Sequence, residues 1–165
     1  MISKIKSILA FFLLVVLVGC TQKSETYKDQ AMIEKVLPTN LNPKNYDIIG
    51  FACGEGGEAS NLVRDFTKLL THKKYKQIRR DLYNPSTGIM YLATISCDKL
   101  AKRGLVKLNA AESRQLAKNL KSSDSISTCS GCTVSGNYAV KQLIHDTSNS
   151  MREEAEWWLD QVLGL

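Results

Sequence analysis

Two thiols stand three residues apart in Thr128-Cys129-Ser130-Gly131-Cys132-Thr133, a spacing shared by redox centres, by half of a zinc site and by local staples. Each chemistry makes its own demand on the neighbourhood. A redox thiol needs a helix N-terminus or a cation beside it to lower its pKa. Cys129 and Cys132 are instead flanked by Ser, Thr and Gly, and no βαβ pattern surrounds them. A structural zinc site is normally completed by a second C-x-x-C, which Cys53 and Cys97 do not supply. The expectation is a structural staple, with thiol-redox chemistry at Cys129 and Cys132 as the alternative. His72 and His145 stand alone, and the chain contains no H-E-x-x-H, G-x-S-x-G or EF-hand loop. No catalytic residue and no metal-ligand set is assigned, which points to a non-catalytic protein.

The compartment of those thiols is written at the other end of the chain. Residues 1–20, MISKIKSILAFFLLVVLVGC, place Lys4 and Lys6 before an apolar run from Ile8 to Val18, the order of an export signal. The run falls short of the roughly 20 residues a membrane span requires, and the polar TQKSETYKDQ that follows cannot extend it. Leu17-Val18-Gly19-Cys20 resembles the lipobox of bacterial lipoproteins. The resemblance implies cleavage after Gly19, a diacylglycerol thioether on Cys20 and a fatty acyl group, palmitate, on its amine, with no other cofactor. Two or more chains anchor a protein stably where one does so only marginally, so the membrane is the first expected partner. Thr21 in place of Asp after the cysteine implies the outer membrane in a cell that has one. The expected layout is a signal peptide over 1–19, a lipidated cysteine and tether over 20–30, and a single domain over 31–165.

With Cys20 committed to lipid, Cys53, Cys97, Cys129 and Cys132 remain in a compartment that permits disulfides. Joining Cys53 to Cys97 is worth roughly 4 kcal/mol of chain entropy and joining Cys129 to Cys132 roughly 2. Loop length alone favours the crossed pairings, but native geometry decides. The expected pairs are Cys53 with Cys97 and Cys129 with Cys132, because neighbouring thiols in a flexible Ser-Gly turn oxidise each other first.

The formal charge of +6 falls by two when Lys4 and Lys6 leave. Its densest cluster is His72-Lys73-Lys74-Tyr75-Lys76-Gln77-Ile78-Arg79-Arg80. Lys73, Lys74, Lys76, Arg79 and Arg80 are a candidate binding strip for nucleic acid, anionic lipid or an acidic partner, through phosphate or carboxylate contacts. Their simpler reading is a solvated junction with cations near a helix C-terminus. An exported protein rarely meets nucleic acid, and no such partner is expected. The stretch from Asp47 to Ser60 runs strand-like residues into glycines and then a helix, but it lacks G-x-x-x-x-G-K-[ST], and Glu55 and Glu58 would repel a phosphate. A loop needing positive φ is the better account. On the last helix Trp158 falls in the buried stripe, whereas Trp157 flanks it, at the edge of the core or as a candidate contact for an envelope protein partner or a sugar.

The elements that position these residues follow from apolar spacing. Leu62, Val63, Phe66, Leu69 and Leu70 trace one helical face. A short segment with Tyr75, Ile78 and Leu82 follows, and then a helix opened by Asn84-Pro85 with Ile89, Leu92, Ala93, Ser96, Cys97 and Leu100 inward, closing at Lys102-Arg103-Gly104. Asn109 with Glu112 and Ser150 with Glu153 read as capping boxes. The first precedes an inner face of Leu116, Ala117 and Leu120, the second one of Met151, Ala155, Trp158, Leu159 and Val162. Tyr138 to Ile144 predicts a further short helix. Strand-like pieces are confined to 47–53 and 105–108, and Ser122 to Ser130 reads as a low-complexity patch. The expectation is an all-α, disulfide-stapled domain of five or six short amphipathic helices, with stacking as a small solenoid as a variant.

Overall fold

A computed structural model describes residues 48–131 and 133–164. The leader, Cys20, the tether, Asp47 and Cys132 lie outside the described residues. Helix α1 (Asn61–Thr71) buries the five apolar residues its spacing marks. Helix α2 (Tyr75–Arg80) and a 3-10 turn (Asp81–Tyr83) bury Ile78 and Leu82. Helix α3 (Thr87–Lys102) starts two residues later than Asn84-Pro85 predicts. Ser86 is its N-cap, accepting from the Ile89 amide at 3.4 Å, while Asn84 Oδ1 accepts from the Ser86 amide at 3.0 Å and shapes the approach. A hydroxyl nearer the helix wins the capping position.

Helix α4 (Ala110–Asn119) opens with the expected capping box: Asn109 Oδ1 accepts from the amides of Ala111 and Glu112, and Glu112 Oε2 accepts from the Asn109 amide at 2.8 Å. Its inner face differs from expectation. Ala117 is exposed, Leu116 and Leu120 are half-buried, and Asn119 is the buried residue. Two further helices are α5 (Val140–His145) and α6 (Ser150–Leu163). Asn149, not Ser150, caps α6 by accepting from the Met151 amide at 3.0 Å.

The all-α expectation is overturned by a three-stranded mixed sheet, β1 (Ile48–Ile49), β2 (Ser125–Ser130) and β3 (Thr133–Ala139), in the order β1-β2-β3. β1 runs parallel to β2 with Ile49 opposite Thr128, and β2 runs antiparallel to β3 with Ser130 opposite Thr133. Among the described residues six helices therefore accompany a sheet, and no stack of helix pairs builds a solenoid. The physical reason lies in the serine-rich stretch. Ile126 and Thr128 point into the core and alternate with Ser125 and Ser127, which do not, the period of a half-buried strand. Gly131, at φ +55°, follows β2 where the chain reverses, and Gly136, at φ +45°, supplies the extra residue where the register shifts between Ser127 and Thr128. Both positions use conformations that glycine adopts without strain, the second as a β-bulge. The segment expected as one helix from Tyr138 splits, strand to Ala139 and helix from Val140. Residues 105–108 are coil.

Helix α3 is the axis of the core, packing against α1, α2, the 3-10 turn, α4, α5 and β2. Tyr91, Leu92 and Ala93 are fully buried in consecutive positions, so this helix is enclosed nearly all round rather than along one stripe. Each large apolar side chain so buried contributes about 1.5–3 kcal/mol. Among the described residues no helix is long and apolar enough to cross a membrane.

Candidate functional site

The cysteines are arranged by the sheet rather than by sequence proximity. Cys53 bonds Cys129, with Cα atoms 5.5 Å apart, and Cys97 carries a free, fully buried thiol. The expected Cys53–Cys97 pair is therefore absent, and Cys129 is unavailable to Cys132. The parallel pairing of β1 with β2 carries residues 50–54 alongside the end of β2. The Gly131 amide donates to Ala52 O at 2.9 Å and the Gly54 amide to Gly131 O at 2.6 Å, which leaves Cys53 within bridging distance of Cys129. Gly50 is buried against this disulfide, and a Cβ there would overlap both sulfurs. The glycine loop is thus a cradle for the bridge. Gly54 and Gly57 take positive φ as expected, and Glu58 pairs with Arg64 at 3.4 Å on the surface.

The basic strip is dispersed. Arg79 turns inward, 3.4 Å from Glu112 Oε2 and 3.5 Å from Lys107 O, and ties α2 to α4. Lys73, at φ +54°, Lys76 and Arg80 are exposed and make no ion pair among the described residues, and Lys74 is the half-buried N-cap of α2. His72 Nδ1 lies 2.8 Å from Lys68 O at the end of α1. Behind Arg79 sits Cys97, whose thiol is pushed up to about 12 by burial and then by the Glu112 carboxylate, with Arg79 acting in the opposite direction. Such a thiol remains protonated and inert at neutral pH. Asp81 is raised to about 6 by burial, opposed by its hydrogen bond from Asn84 and by Arg80.

The two tryptophans separate cleanly. Trp158 is buried, donates from Nε1 to Thr67 Oγ1 at 2.9 Å and packs on Phe51 with ring centroids 5.3 Å apart. Trp157 is 66% exposed. A step of about 100° per residue around α6 explains why only one ring can reach the core.

Among the described residues two concavities lie beside α3. The larger, about 710 Å³, lies between the 3-10 turn, the start of α3 and the end of α4. Its floor includes Leu82 and Met90, its rim Tyr83, Lys118, Lys121 and Asp124. Asn119 fixes this junction: Nδ2 donates to Leu82 O at 2.9 Å and to Thr94 Oγ1 at 3.1 Å, and Oδ1 accepts from Gln115 at 2.8 Å. A fully bonded buried amide holds the walls in one register. The smaller, about 400 Å³, lies among α3, α5 and α6, with Ile95, Leu143 and Leu159 beneath a rim of ion pairs, Lys102–Asp98 at 2.7 Å and Arg152–Glu156 at 3.2 Å. His145 sits there with Nε2 3.1 Å from Leu120 O. Among the described residues neither histidine contacts a thiol or hydroxyl in the manner of a nucleophile and base, and no three His, Cys, Asp or Glu side chains gather in a metal-binding group.

Sequence reasoning missed the Asn119–Gln115–Thr94 network and both clefts. The one available signal was Asn119 itself, a polar residue three positions after Leu116 on a face otherwise marked for burial. Comparison with protein-family models, with curated proteins and with solved structures finds no match for this chain.

Proposed function

We propose that this chain is an exported, lipid-anchored protein of the bacterial cell envelope, whose folded domain is a non-catalytic binding or assembly module. The observation that carries this reading is the Cys53–Cys129 disulfide. A structural bridge of this kind persists in oxidising compartments and is rare in the reducing cytosol, and the leader with its Leu17-Val18-Gly19-Cys20 directs the chain to such a compartment. Among the described residues the domain offers shape: two concavities, an exposed Trp157 and a Tyr83 that is 53% exposed. Exposed aromatic rings of this kind serve protein partners well, since one face is apolar and rigid.

A thiol-redox protein using Cys129 and Cys132 would need Cys129 available. Its commitment to Cys53 counts against that reading.

Intact mass of the exported protein, before and after reduction and alkylation, tests both. The expected species lacks residues 1–19, carries diacylglycerol and an acyl chain on Cys20, and contains the Cys53–Cys129 bridge; Cys20→Ser should release it from membranes. A cytosolic chain with its leader intact and every sulfur reduced would overturn the proposal, and a Cys129–Cys132 bridge in the native protein would favour the redox reading.

A further inference from the structure

We infer that the outer face of α4, with the larger cleft beside it, docks onto an anionic phospholipid surface. Arg114, Lys118 and Lys121 are spaced four and three residues apart, which places them along one stripe of α4 and its C-terminal turn. All three are exposed, and none makes an ion pair among the described residues. The acid on this helix, Glu112, is directed inward to Arg79 and the Asn109 amide. The remaining acid at the cleft, Asp124, is engaged by Ser122, whose hydroxyl donates to Oδ2 at 2.8 Å. Asp124 keeps its charge, but against Arg114, Lys118 and Lys121 it leaves the face net cationic, with small neighbours such as Ala110, Ala111 and Ala117 that let a flat surface approach.

What distinguishes it is a cleft whose rim cations are unpaired among the described residues, whereas Lys99, Lys102 and Arg152 beside the smaller cleft are each held by an acid. Lys118 and Lys121 stand on the rim of the 710 Å³ concavity, opposite the exposed Tyr83 ring and above Leu82 and Met90. Lysines flanking an amphipathic aromatic ring over an apolar floor match the layering of a membrane interface, phosphate outside and hydrocarbon beneath. The strip on α2 has cations alone: Tyr75 is half-buried, and Arg79 faces inward. Each Lys or Arg near an anionic leaflet adds to binding, and the attraction falls off within a Debye length. The membrane in question is the one to which the proposed anchor ties the domain, so this inference takes its partner from that reading.

The test is a lysine footprint of the whole chain with an amine-acetylating reagent, on nanodiscs of phosphatidylcholine alone or with phosphatidylglycerol. If the chain carries no lipid and stays off the discs, the same footprint is taken with vesicles of both compositions added in solution, so failure of the anchor and failure of the docking face are read separately. Phosphatidylglycerol should protect Lys118 and Lys121 while leaving Lys68 and Lys102 as reactive as before, and added salt should remove the protection. Lys121→Gln, an exposed change that leaves the fold intact, should weaken vesicle binding about fivefold. Equal labelling of Lys118 and Lys121 on both compositions overturns the inference. So does protection by a soluble polyanion such as heparin without protection by phosphatidylglycerol, which would assign the face to an acidic macromolecule.

Discussion

The helical body around α3 and the stapled sheet end are stabilised by different means. In the body, Leu92, Ala93, Leu100, Ile78 and Leu82 are almost completely removed from water, and non-directional burial does most of the holding. At the sheet end, residues 54–58 are exposed, β1 has two residues, and the loop is held by five backbone hydrogen bonds of 2.6–3.2 Å and one covalent bridge. The body should therefore respond to lost apolar volume, and the sheet end to lost covalent connection.

Truncating the body gives the largest effect. Leu92→Ala opens a cavity where the residue is fully buried and should cost about 3–4 kcal/mol, seen as a lower midpoint in urea with or without dithiothreitol. A cost that vanished under reducing conditions would mean that the body leans on the bridge and that the two regions are not separable.

Cutting the bridge comes next. Cys53 and Cys129 are 76 residues apart, a loop worth about 4.5 kcal/mol in the chain-entropy model, and because structure retained in the unfolded chain lowers the realised value, Cys53→Ala should cost about 3 kcal/mol. Gly50→Ala should cost nearly as much without touching a cysteine, because its Cβ would displace both sulfurs. The free-thiol count checks the mechanism: Gly50→Ala should either raise it by two or leave a bridge that a mild reductant opens. A bridged Gly50→Ala protein as stable and as resistant to reduction as the parent would remove the cradle from the account.

This division also explains what the sequence made legible. The body was readable because one helix carries its own periodicity. Leu62 to Leu70 and Met151 to Leu159 announce their buried faces without reference to the rest of the chain. The sheet end was not, since β1 is meaningful only beside a strand some eighty residues on. Ser125 to Ser130 carries its apolar alternation on Ile126 and Thr128 alone. Cysteine pairing failed for the same cause: proximity along the chain favoured Cys129 with Cys132, whereas strand register brought Cys53 to Cys129. The basic strip was legible only in part. Five cations in a row look like one surface, but the inner face of α2 takes Arg79 to Glu112 and breaks the run.

The smallest effect probes a flaw in the body itself. Asp81 ends α2 through its backbone amide, but its side chain has one weak contact, Asn84 Nδ2 at 3.5 Å, so burial raises its carboxyl to about 6. In the unfolded chain the same group titrates near 4. Between those values the folded state holds the proton and the unfolded state does not, so stability falls as pH rises from about 4 to about 6, and the penalty is complete above the folded pKa. Because Asp81 is only half-buried, water screens much of that penalty, and about 1 kcal/mol is expected at pH 7. Asp81→Asn keeps an acceptor for Asn84 and removes the charge. The variant should match the parent at pH 4 and exceed it by about 1 kcal/mol at pH 7, read from urea midpoints at pH 4, 5, 6 and 7. The difference between a sheet-end variant and the parent should stay constant over this range, since both keep Asp81 and the Cys53–Cys129 bridge does not titrate. A variant less stable than the parent at pH 7 would mean that Asp81 is held by a favourable partner rather than tolerated by its neighbours.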